Sequence, residues 1–194
     1  MNAGVDLFLA LAGVAMLVLA LLVPCAGGAV IAIRLGAEHA AALAVAALAQ
    51  AMTKGQPVLL MLTALVLAKA IALPWLLPGD VRTQEPGRPL PVLAAGTALA
   101  ALAWMALPPV AGLRPMAVPL ALAMLSLGIL PAALGQGAAR RFLGLLVAAN
   151  GAMLAALEAA DPARLVLLEL GVLVLLGALL VAMRWERDAP RAMP

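Results

Sequence analysis

The chain has almost none of the residues from which common active sites are built. It holds one cysteine, one histidine, two phenylalanines and no tyrosine in 194 residues, and aromatics make up 3%. A single cysteine, Cys25, excludes an internal disulfide and a multi-cysteine metal site. A single histidine, His39, cannot form a paired-histidine zinc motif and would serve a Ser-His-Asp set poorly. No glycine-rich phosphate loop follows a strand-like run. Charged residues amount to 11%, too few to give a soluble domain of this length a polar shell. The first apolar run also lacks the basic flank of a signal peptide, so it is expected to stay in the mature protein.

Apolar residues make up 66% of the chain. Several runs exceed the roughly 18 residues needed to cross a hydrocarbon core of about 30 Å. The expected fold is all-α, a polytopic integral membrane protein in a lipid bilayer, with about seven transmembrane helices in a single membrane domain. The spans read as 3–23, 27–49, 57–77, 90–107, 115–134, 138–159 and 164–184, with 185–194 as a short polar tail. Pro24 and Gly27-Gly28 end the first span, and Pro119 and Pro131 are expected to break or kink the fifth. Asp161 as N-cap and Pro162 at the first helical position start the seventh.

The pI near 10 does not signal nucleic acid, because the twelve Lys and Arg residues lie mostly singly between spans. There they set topology. Loops on the N-terminal side hold Lys54, Arg114 and Arg164; the opposite side holds Arg82, Arg88, Arg140, Arg141, Arg184, Arg187 and Arg191. The positive-inside rule puts the C-terminus in the cytoplasm and the N-terminus outside.

Polar groups within the spans are expensive and are the functional candidates. Arg34 and Glu38 lie one helical turn apart and can pair locally. Lys69 has no acid three or four residues away. Spans two and three form a hairpin in which Glu38 and Lys69 lie at equal depth, so Glu38 is expected to bridge Arg34 and Lys69. His39, about 100° round the helix from Glu38, would extend such a path. Asn150 sits near mid-depth in span six. Glu169 in span seven is expected to face water or another subunit, and Glu158 to cap or meet solvent. The cluster reads either as a relay in which a lysine and a carboxylate exchange charge, or as a structural core that fixes helix register. In span six, Gly144, Ala148, Ala152 and Ala156 recur every four positions and make one flat side for close helix packing.

Leu67-Ala68-Lys69-Ala70-Ile71-Ala72-Leu73-Pro74 resembles the lysine-and-proline helix of the hydrogenase-4 component E family. Arg140-Arg141-Phe142-Leu143-Gly144 with Asn150-Gly151 resembles that family's Arg-rich turn and Met-Glu-Asn-Gly motif, and Glu169-Leu170-Gly171 the start of its last helix. The family's last three helices are similar to the K-type subunit of respiratory complex I. The resemblance implies a non-catalytic membrane-arm subunit of a complex I-like assembly, as in formate hydrogenlyase and related energy-converting nickel-iron hydrogenases. It would sit in a bacterial or archaeal inner membrane. Its partners would be antiporter-like membrane subunits and a soluble redox module. Any nickel-iron or iron-sulphur centres would belong to those partners, with no cofactor or metal in this chain.

Two departures stand against the family pattern. Ala149 replaces the glutamate before Asn-Gly, and Leu175 replaces an aspartate six residues after the last-helix glutamate. Neither alanine nor leucine can hold a proton. Two other classes therefore stay open: an independent small permease or channel, and a purely structural scaffold subunit.

Overall fold

The computed structural model describes residues 3–76, 89–106, 117–134, 138–159 and 161–188, and among them every regular element is a helix. The order is α1 (Ala3–Cys25), α2 (Ala29–Lys54), α3 (Pro57–Leu76), α4 (Pro89–Ala106), α5 (Ala117–Leu134), α6 (Ala138–Ala159) and α7 (Pro162–Asp188). Five of them are long and apolar enough to cross a membrane: α1, α2, α3, α6 and α7. This is a helical, multi-pass membrane protein. The polar loop with Asp80, Arg82, Glu85 and Arg88, the loop position Arg114, Ala160, the end of the tail with Arg191, and the side chains of Glu158 and Arg187 lie outside the described residues.

Local chemistry explains where the helices end. Pro24 lacks an N–H, and α1 stops one residue later with a tightened turn, the Ala26 amide donating to the Val23 carbonyl at 3.3 Å. The sequence expectation ended the second span at 49, but α2 runs on to Lys54. No breaker occurs before Gly55, and the Thr53 hydroxyl bonds back to the Ala49 carbonyl at 2.7 Å. Gly55 then closes the helix at φ 62°, a left-handed conformation that glycine adopts without steric cost. Lys54 Nζ donates to the Leu157 carbonyl at 3.3 Å, joining the end of α2 to the last turn of α6. A lysine there satisfies a helix-terminal carbonyl that has no partner within its own helix.

The expected break in the fifth span does not occur: α5 is one helix from Ala117 to Leu134. Pro119 falls in its first turn, where a missing N–H costs nothing, and Pro131 lies near its end. The α7 start follows the capping pattern, with the Ala163 amide donating to Asp161 Oδ1 at 3.0 Å. The helix continues to Asp188 rather than ending at 184, because no helix breaker occurs before Pro190.

The most extensive packing is between α5 and α6. A methyl group added at Gly144 would fall 2.5 Å from the Gly128 carbonyl oxygen and 2.7 Å from the Ala132 amide nitrogen. One added at Gly151 would fall 2.7 Å from Met124 Cβ. The two backbones thus meet across Gly128, Gly144, Ala148 and Gly151, the small-residue contact that drives helix association in lipid. Helix α2 packs on α1, α3 and α6, and α7 on α3 and α6. Of the five spanning helices α6 is the most buried and α7 the least.

Candidate functional site

Four polar side chains from four helices meet in the interior. Lys69 from α3, Asn150 from α6, Glu169 from α7 and His39 from α2 have relative exposures of 5, 0, 1 and 0%. Each sits on the inward stripe of its helix. On α2 that stripe is Ala32, Gly36, His39, Leu43, Ala47 and Gln50, at the three-and-four spacing of a helix face. On α6 it includes Leu143, Leu146 and Asn150.

Lys69 lies at the centre. Its Nζ forms an ion pair with Glu169 Oε1 at 2.5 Å and donates a hydrogen bond to Asn150 Oδ1 at 2.8 Å. On its other side Asn150 Nδ2 is 3.1 Å from His39 Nδ1. The result is an unbroken line, Glu169–Lys69–Asn150–His39, that ties α7 to α3, α6 and α2. Among the described residues His39 Nε2 is buried without a hydrogen-bond partner. An ion pair shielded from water is held strongly, and removing one partner leaves the other charge uncompensated.

A cleft of about 230 Å³ opens beside this line between α3 and α7. Its wall is apolar, with Leu65, Leu73, Phe142, Leu176 and Leu180, and among the described residues Lys69 is the one charged group that lines it.

The expected Glu38 bridge is corrected by this geometry. Glu38 and Arg34 both lie on the exposed side of α2, with Ile31, Val45 and Leu48, and they do not form an ion pair with each other. Depth in the membrane says nothing about direction round the helix axis. The 100° step from Glu38 to His39 decides which of the two faces the interior. Glu169, expected to face water or another subunit, is instead the partner of Lys69. Gly144 and Ala148 lie buried at the α5 contact, whereas Ala152 is half-buried and Gly151 takes its place there.

Sequence reasoning passed over Gln50, buried on α2, and Gly128, the α5 half of the closest helix contact. Gly128 had a signal, since Ala121, Gly128 and Ala132 form a small-residue stripe on α5. Among the described residues no three of His, Cys, Asp and Glu come together in a way that could hold a metal ion. Compared with known proteins, the chain matches no family model, no curated protein and no solved structure.

Proposed function

We propose that this chain is a non-catalytic membrane-arm subunit of a complex I-like, hydrogenase-4-like redox complex and that it supports coupled translocation of protons or sodium. The observation that carries the reading is the buried Lys69–Glu169 ion pair, extended through Asn150 to His39. The three polar landmarks of the family resemblance, Lys69, Asn150 and Glu169, lie far apart in sequence and belong to this one cluster. A lysine–carboxylate pair can redistribute its charge when an ion or proton approaches, which a purely apolar core cannot do.

The two departures from the family pattern weigh less in this setting. Leu175 is 71% exposed, on the side of α7 turned away from the cluster, so an acid there would not have belonged to the Glu169–His39 line. Ala149 is half-buried beside Asn150 and leaves the line itself complete. The outward face of α2 supports a partner. Arg34 and Glu38 stand about 8 and 14 Å along the helix from Ala29, at 1.5 Å per residue. A carboxylate at that depth is costly against lipid. An antiporter-like subunit covering this face would supply the missing counter-charge or water. In this reading α4 and α5 also span, giving seven spans with the N-terminus outside and the C-terminus in the cytoplasm of the inner membrane. Nickel-iron or iron-sulphur centres reside in partner subunits.

A second reading, an independent small permease, is favoured by the cleft that reaches Lys69 between α3 and α7. A third, a structural scaffold, makes the Lys69 charge dispensable for transport. Replacing Lys69 by Met in the assembled complex tests the relay. Coupled ion transport is expected to fall while the redox partial reaction persists, and an assembled Lys69→Met complex with normal coupling would remove Lys69 from the path.

A further inference from the structure

Resting on that reading, we infer that Asn150 is an amide switch that ties the charge on Lys69 to the position of the hydrogen on His39. The Asn150 side chain is fully buried and offers one carbonyl acceptor and one NH₂ donor, pointing opposite ways. An ammonium group can only donate. With Lys69 charged, Oδ1 must face Nζ, as it does at 2.8 Å, and Nδ2 must face His39. Nδ2 can only donate, so His39 Nδ1 must be the bare, accepting nitrogen. The ring is then neutral with its hydrogen on Nε2. Among the described residues nothing bonds Nε2, so Asn150 alone holds the ring in this tautomer.

The lock opens only when Lys69 is uncharged. A neutral amine has a lone pair, so the amide can turn over, with Nδ2 donating to Nζ and Oδ1 accepting from a hydrogen on His39 Nδ1. An imidazolium at His39 and an ammonium at Lys69 therefore exclude each other across Asn150, because together they would set a donor against a donor inside the bundle. Asn150 itself does not ionise. It positions its neighbours and makes the two titratable groups report on each other over the width of α6.

The other charged groups around His39 do not supply this control. Glu169 acts on the far side of Lys69, Arg34 and Glu38 face outward from α2, and the described side chains of α1 and α5 contain no ionisable group but Cys25 at the end of α1.

His39 is the only histidine in the chain, so ¹⁵N-histidine labelling gives one ring to observe. Solid-state NMR of the full chain in lipid bilayers is expected to show a neutral ring with hydrogen on Nε2 alone. In Asn150→Leu, and in Lys69→Met combined with Glu169→Gln, the preference is expected to relax to a mixture of tautomers. A wild-type ring with hydrogen on Nδ1, or as imidazolium, would overturn the inference even if the variants failed to fold. So would an unchanged Nε2 pattern in both variants. The spectrum needs no partner subunit, so its outcome stands apart from membership of a redox complex.

Discussion

Lys69 on α3 and Glu169 on α7 form a buried ion pair, Nζ to Oε1 at 2.5 Å, with the two side chains 3 and 1% exposed. This contact fixes α7, the least buried of the spanning helices, to α3 about two turns from the start of α7.

The pair should be strongly coupled in stability. Glu169→Leu leaves the ammonium buried without its counter-ion and is expected to destabilise by about 3–5 kcal/mol. Lys69→Met with Glu169→Leu should recover most of that loss, since replacing a whole buried pair by apolar groups is often near neutral. A double-mutant cycle on detergent-titrated unfolding measures the coupling. Additive single effects would show that the two residues do not interact.

The direction round α2 can be tested by crosslinking in a Cys25→Ser background. A bifunctional thiol reagent with a short spacer is expected to join Lys69→Cys to Glu169→Cys, whose native side chains meet tip to tip. It is expected not to join Glu38→Cys to Lys69→Cys, because Glu38 faces away from the interior. Equal yields from the two pairs would contradict the placement of Glu38.

This is where the legibility of the sequence ended. Hydropathy and capping residues located the described helices to within five residues at either end, the largest error at the end of α2, because lipid demands apolar length and Pro, Gly and Asp mark ends. The price of burying a polar group in a membrane picked out Lys69, His39, Asn150 and Glu169. Their pairing was not legible. Depth follows from counting residues from a turn, but azimuth depends on which helices are neighbours. That neighbour relation, α3 beside α7 and α2 beside α6, is a tertiary fact with no local signal. The same limit explains why the small-residue stripe was extended to Ala152 when the α5 contact turns to Gly151.

The α5–α6 contact should not tolerate a side chain. Gly144→Ala is expected to cost about 1–3 kcal/mol, the range for overpacking, since the new methyl meets backbone atoms of α5 that cannot rotate away. Gly171→Ala is the control. Nothing lies within 4 Å of its added carbon, and the change should be neutral or stabilising by up to about 1 kcal/mol. Thermal unfolding in lipid-detergent micelles reads both.

Orientation can be read from the native cysteine. Cys25 is exposed at the end of α1, on the side opposite the α2–α3 turn. With the N-terminus outside, a membrane-impermeant maleimide should label it in inverted vesicles and not in intact right-side-out cells.

Membership of a redox complex is tested most directly by the chains that co-purify with this one. Native membranes are solubilised in a mild detergent, the protein is recovered through a C-terminal tag, and the co-purifying chains are identified by mass spectrometry. The account predicts stoichiometric recovery of large antiporter-like membrane subunits together with a soluble redox module. Recovery of this protein alone, as a monomer or homo-oligomer, would contradict it and leave the Lys69 cleft between α3 and α7 as the transport site of an independent permease.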